Sequence, residues 1–199
     1  MKQETLFPET KAGSESLSPE GLRYQPDFIT EADERALVGE MINLPLKPFE
    51  FHGYFGNRRV ISFGFRYDYA RRGVDQAEQA PSFLDALRPR IAAFARRAPE
   101  EFKQIGVIEY RPGAGIGWHR DKPEFGDVVG ISLLSAVRMR FRKRSGRGWL
   151  RESLRLEPRS VYILTRQARE EWEHGIAPVT SLRYSVMFRT LPLLEHSSC

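Results

Sequence analysis

From Gly106 to Leu191 the chain is a run of short segments with strand character: "GVIEY", "VVGISLL", "AVRMRFRKR", "SLRLE", "SVYIL" and "RYSVMFRTL". Glycine-rich punctuation separates them at Pro112 to Gly117 and at Ser145 to Gly148. So many short strands in succession predict an antiparallel barrel or jelly roll. Helices are expected to be grouped in the first half. One opens at Thr30, with Asp33 in capping-box position, and stops before Pro45, burying Leu37, Met41 and Leu44. A second zone runs from Ser82 to Arg97, with Leu84, Leu87, Ile91 and Phe94 at helical spacing and Pro89 kinking or splitting it. Before them "LRYQPDFI" is a short strand broken at Pro26. Between them "RRVISFGFRYDY" alternates, with Phe63, Phe65, Tyr67 and Tyr69 on one face. The predicted class is α+β, mainly β.

At 199 residues and 41% hydrophobic, the chain has the size of one well-buried domain. Residues 1–20, rich in Ser, Glu, Pro and Gly, are expected to form a flexible arm and 21–199 a single domain. The sole cysteine is Cys199, so no disulfide within the chain and no cysteine-based metal site is expected. No signal-like start and no run of about eighteen apolar residues is found. A soluble, cytoplasmic, monomeric protein without a membrane partner is expected. The net charge of +5, carried mostly by arginine, makes a polyanionic partner plausible.

Four histidines are present, and one stands in "GWHRD". Residues two apart in an extended segment point the same way, so His119 and Asp121 can offer an imidazole nitrogen and a carboxylate oxygen to one ion. His174, in "EWEHGI", is the candidate third ligand. Two histidines and one carboxylate on one face of a metal leave three positions open, the arrangement of non-haem Fe(II) oxygenases. On its own the pair also fits a solvated surface turn, and His174 a hydrogen-bonded structural histidine. In "LRYSVMFRTL", Arg183, Ser185, Met187 and Arg189 share one strand face and Tyr184, Val186 and Phe188 the other. Two inward arginines call for anions, and along about 20 Å of strand their guanidinium groups can lean toward opposite ends of a small dicarboxylate.

Taken in order, "EYRPGAGIGWHRD", "GISLLS", "EWEHGI" and "RYSVMFR" resemble the AlkB family of Fe(II)- and 2-oxoglutarate-dependent dioxygenases. The resemblance covers Gly106 to Leu191 well and "FGNRRVISFGFRYDY" more loosely. It implies a double-stranded β-helix, a jelly-roll core over 106–191, preceded over 21–105 by helices and a substrate-recognition lid. It implies that His119, Asp121 and His174 bind Fe(II). It implies too that Arg183 and Tyr110 hold the distal carboxylate of 2-oxoglutarate, and that Arg189 sits near the proximal carboxylate and the metal as a catalytic residue. The implied reaction uses O2 to convert 2-oxoglutarate to succinate and to hydroxylate a nearby C–H bond. At an N-methyl group the product loses formaldehyde.

Three positions depart from the base-repair members: Ile108 and Ser185 replace asparagines, the latter within the cofactor-binding strand, and Pro123 replaces an acidic residue that helps read the damaged base. The expected function is oxidative demethylation of N-alkylated bases in DNA or RNA, single-stranded or flipped out. The alternatives are a dioxygenase acting on a protein or small molecule, and a non-catalytic nucleic-acid-binding jelly-roll module. Tyr54, Tyr67 and Tyr69 are candidate walls of a base pocket, although alternating aromatics equally fit a core-facing strand. Arg138, Arg140, Arg142, Lys143, Arg144 and Arg147 form either a phosphate track or a solvated sheet face. Arg88, Arg90, Arg96 and Arg97 are open to the same two readings. His52 and His196 are assigned to the surface.

Overall fold

A computed structural model describes residues 18–51, 54–68, 71 and 73–192. The expected arm lies outside these apart from its last three residues, which are packed: Pro19 is buried, and the Glu20 carbonyl accepts from the Ala168 N–H at 2.8 Å. His52, Tyr69 and His196 also fall outside the described residues.

The elements in chain order are β1 Leu22–Gln25, α1 Glu31–Met41, β2 Lys47–Phe51, β3 Tyr54–Phe63, β4 Phe65–Asp68, β5 Gly73–Gln76, α2 Ser82–Asp85 and α3 Arg88–Ala95. There follow β6 Phe102–Tyr110, β7 Ile116–His119, β8 Val128–Leu133, β9 Val137–Ser145, β10 Gly148–Leu156, β11 Ser160–Leu164, α4 Arg166–Glu170, β12 Glu173–Ile176 and β13 Arg183–Thr190. Thr30 caps α1 with the reciprocal Asp33 bond its sequence predicts. Pro89 falls at the start of α3, where a missing N–H costs nothing, and so splits the second helical zone in two.

All the strand pairings are antiparallel. One sheet has the order β1-β11-β8-β13-β6-β3-β2, a second β10-β9-β12-β7, and β4 pairs with β5 alone. The alternation along β13 explains how the layers stack. Tyr184, Val186 and Phe188 enter a core shared with Leu37, Met41, Leu84 and Ile91 of the helices. Met187, one residue out of phase, enters a second core with Met139, Phe141, Leu156 and Ile176 of the four-stranded sheet. Helices thus cover one face of the large sheet and the small sheet covers the other, with the second core between the two sheets. Glu34 ties the first layer down: buried in α1, its carboxylate accepts from the Leu134 N–H at 2.8 Å, where the chain turns with φ 70 after β8.

One expectation is corrected. The "RRVISFGFRYDY" segment is two strands, because Gly64 takes φ +72 and an added Cβ would strike the Lys103 carbonyl. Phe63 therefore stays in the helix-side core while Phe65 and Tyr67 belong to the separate β4–β5 hairpin. That hairpin stands where the substrate lid was expected.

Candidate active site

The register of two short strands sets the centre. β7 and β12 pair so that His119 lies opposite His174. Residues directly opposite on antiparallel strands present side chains to the same face, and the two imidazoles pack with ring centroids 4.3 Å apart. Asp121 lies beyond the end of β7 rather than within it, yet its Oδ2 comes 3.5 Å from His174 Nε2. His119 Nδ1 lies 3.0 Å from the Gly117 carbonyl. As a donor there it leaves Nε2 with the lone pair, the second-shell arrangement common to metal-bound histidines.

Charge and burial put all three side chains in their metal-binding forms. Burial opposes ionisation of Asp121, but the Arg189 guanidinium and the neighbouring imidazoles outweigh it and hold the carboxyl well below the usual carboxylate range. Burial, reinforced by His119 and opposed by Asp121, lowers His174 to about 3. Burial also lowers His119. Two neutral imidazoles and a carboxylate need release no proton to take up a cation.

The fit to an ion rests on one orphaned atom. Asp121 Oδ2 is buried without a hydrogen-bond partner, a costly state for a polar group, and it faces His174 Nε2. Two donors each about 2.1 Å from one ion and at right angles stand about 3 Å apart, close to the observed separation of Asp121 and His174. Among the described residues no three His, Cys, Asp or Glu side chains meet at coordination distance as they stand.

A buried cation, Arg183, shares the face of β13 that carries Met187 into the second core. Arg183 is 1% exposed; its Nε donates to Ser132 Oγ at 3.2 Å, and its guanidinium lies 5.0 Å from the Tyr110 ring centre. Its Nη1 is buried and has no partner. Among the described residues no carboxylate pairs with it, and a buried unpaired guanidinium costs several kcal/mol. Tyr162 lies nearby, its phenol pushed above the usual range by burial against the opposing pull of Arg183. Gly130 makes room for that ring, since a Cβ there would meet it at 2.5 Å.

Most of the residues singled out from the sequence converge here, with one change of emphasis. Arg189 donates to Asp121 Oδ1 at 3.1 Å and to Gln104 Oε1 at 2.7 Å, so it fixes and ionises a candidate ligand directly. Ser185 is buried and turns its hydroxyl to Met187 Sδ at 3.3 Å. Tyr67, half-buried in β4, has the Lys122 ammonium 4.8 Å from its ring centre, which sets the hairpin beside the loop that follows Asp121. Tyr54 begins β3, its side chain outside the described residues, as is Tyr69.

Sequence reasoning missed Ser132, Tyr162 and above all Arg169. The Arg169 side chain, buried in α4, donates to the carbonyls of Asp121, Lys122, Phe125 and Gly126. One guanidinium thereby holds the loop that carries Asp121. "RQARE" offers no apolar signal to reveal it. Arg169→Gln is expected to weaken ferrous-ion affinity by about 10- to 100-fold, as loss of outer-shell partners does, with the 2-oxoglutarate requirement unchanged at saturating iron. Titration of metal and co-substrate separately checks this split.

Comparison with known proteins identifies the family and the fold. A sequence model of the 2OG-Fe(II) oxygenase superfamily matches residues 21–190. The chain is 29% identical over 182 residues to the "Alkylated DNA repair protein ALKBH8 homolog" of Arabidopsis thaliana, covering 78% of this chain and 50% of that protein. It is 30% identical over 112 residues to the "Probable RNA/DNA demethylase ALKBH6" of Danio rerio, covering 56% and 45%. The chain thus spans half or less of the length of these curated relatives. In fold it resembles OsALKBH1, with TM-score 0.64 and 18% identity over 87% of this chain and 98% of that one. A prolyl-4-hydroxylase of Pseudomonas putida superposes with TM-score 0.58 and 16% identity, covering 89% and 96%. With a jelly-roll fold, a match over most of its length and AlkB-named relatives, the chain belongs to the 2OG-Fe(II) oxygenase superfamily, an AlkB-like dioxygenase that uses Fe(II), 2-oxoglutarate and O2.

Proposed function

We infer that the protein is an oxidative demethylase of N-alkylated bases in nucleic acid, with His119, Asp121 and His174 holding the iron. The observation that carries the site assignment is the buried, unpaired Arg183 in the same inter-sheet space as the two imidazoles and Asp121. Arg183 would pair with the distal carboxylate of 2-oxoglutarate, with Tyr110 beside it. A bidentate partner there would supply the acceptor that Nη1 lacks.

Bound Fe(II) supplies the activation of O2 that couples oxidation of 2-oxoglutarate to succinate and CO2 with hydroxylation of a substrate carbon. The rest falls to the protein's own residues. Arg189 keeps Asp121 ionised and aimed, and Arg169 holds the loop beneath it. The apolar walls from Met139, Phe141 and Ile176 exclude water from the space between the sheets. Tyr67, on the hairpin beside Lys122, would form one wall for an extruded base. Hydroxylation of an N-methyl carbon gives a hemiaminal, which breaks down to formaldehyde and the unmodified base. The nucleic-acid substrate is supported by the names of the relatives, in DNA repair and RNA/DNA demethylation, and by the chain's positive charge.

Succinate formation tests the reading, measured alone and then with methylated single-stranded DNA, methylated RNA, or a nuclease-treated cell extract. Stimulation by a methylated oligonucleotide, with formaldehyde in equal amount, is expected. Stimulation by the nucleic-acid-free extract alone would move the substrate to a protein or small molecule. Absence of succinate under every condition would leave a binding module.

A further inference from the structure

The outer face of the four-stranded sheet has no part in the chemistry above, yet it is strongly biased toward arginine. On β9 and β10 the inward positions fill the second core, and the alternate outward positions hold Arg138, Arg140, Arg142, Arg144, Arg151 and Arg155. The outward side of β12 adds one carboxylate, Glu173, and a glycine, Gly175, opposite Arg140. Glu173 meets Arg142 and Glu157 meets Arg155, so the six arginines leave an excess of four positive charges on this sheet face.

Those arginines are also ordered. Arg140 and Arg142 stack on Trp118, at 5.0 and 4.6 Å from its ring centre, and Arg142 and Arg144 stack on Trp149, at 4.3 and 5.0 Å. Trp118 reaches them across β12 because Gly175 puts no side chain in the way. The ladder Arg140–Trp118–Arg142–Trp149–Arg144 fixes the guanidinium planes while leaving their N–H edges outward. Arg142 also donates to Glu173, but Arg140, Arg144 and Arg151 are exposed and have no carboxylate partner among the described residues. Preorganised guanidinium forks suit phosphate oxygens, and less side-chain entropy is lost when they bind. At its Trp149 end the ladder borders a recess of about 290 Å³, lined by Arg120, Arg142, Lys143, Arg144 and Trp149 and by two carboxylates, Glu171 and Glu173. Arg120, which lines this recess, lies between His119 and Asp121 in the chain, so the recess is one residue removed in sequence from two candidate iron ligands.

We propose that this face is a second contact surface for single-stranded nucleic acid, a sequence-independent phosphate track that delivers the strand to the active site. The substrate role rests on the nucleic-acid reading above; the surface itself is defined by charge and by the Arg–Trp ladder. It deals only with the sugar–phosphate backbone and leaves base choice to the pocket.

The test is binding of an unmodified, fluorescently labelled single-stranded oligonucleotide, as RNA and as DNA, across a series of salt concentrations. The parent chain is compared with Arg140→Gln/Arg144→Gln/Arg151→Gln and with the same three positions changed to Lys. With about 0.7 counterions released per phosphate on single strands, loss of three contacts should lower the slope of log affinity against log salt by about 2. The glutamine variant should bind at least about tenfold more weakly at low salt, with 2-oxoglutarate turnover in the absence of substrate unchanged. The lysine variant, equal in charge, should keep most of the slope. Equal affinity and slope in parent and glutamine variant would overturn the proposal, as would a parent that ignores the oligonucleotide but binds phosphatidylserine vesicles. Salt-dependent binding lost in the variant, in a protein that never demethylates, would keep the surface and reject the proposed function. Demethylation with the same KM in parent and variant would do the reverse.

Discussion

His119→Ala is expected to lower 2-oxoglutarate turnover by more than about a hundredfold, beyond the range that outer-shell changes produce, while the far-ultraviolet spectrum and melting temperature stay close to those of the parent. His119 is the best of the three candidate ligands to remove. It ends β7, is half-buried, and among the described residues its ring bonds to the nearby Gly117 carbonyl. Asp121→Ala should abolish turnover equally, but it also strips Arg189 of an acceptor, so part of its effect would be lost stability. His174→Ala opens space beside Phe141 in the second core and carries the same ambiguity. Full metal-dependent activity in the His119 variant would remove His119 from the iron site.

Arg183→Met should separate stability from function. Arg183 is a buried cation whose Nη1 has no partner among the described residues and whose Nε donates to Ser132. Replacing it by an apolar side chain of similar length removes an uncompensated charge from the space between the sheets, so the melting temperature should hold or rise. With co-substrate the sign reverses. Loss of a charge-assisted pairing worth about 3 kcal/mol raises the KM for 2-oxoglutarate roughly a hundredfold. The thermal stabilisation that 2-oxoglutarate gives the parent should disappear. A variant less stable than its parent and unchanged in KM would make Arg183 a structural residue.

The parts legible in the sequence are those where one period or one spacing decides. The strand period separated Tyr184, Val186 and Phe188 from Arg183, Met187 and Arg189, and the structure sends the first three to one core and Met187 to the other. The Thr30–Asp33 cap and the Pro89 break were equally local. His119, Asp121 and His174 were legible from type, order and resemblance, although their meeting depends on the β7–β12 register, a contact between segments more than fifty residues apart. What could not be read was decided by single atoms meeting at a distance. Arg169 looks like any surface helix arginine until four loop carbonyls converge on it. Gly64 looks like a residue within a strand until the Lys103 carbonyl leaves no space for a Cβ. The arginines of β9 remained open between track and solvated face because only the fold brings Trp118 across to them.

Anaerobic titration of the protein with ferrous ion in the presence of 2-oxoglutarate, following the heat of binding, tests the central claim most directly. One ion per chain should bind to the parent, with affinity lost in His119→Ala and retained in the arginine-face variant. Binding of equal strength in parent and His119→Ala, or none in the parent, would contradict the assignment of His119, Asp121 and His174 as the iron site.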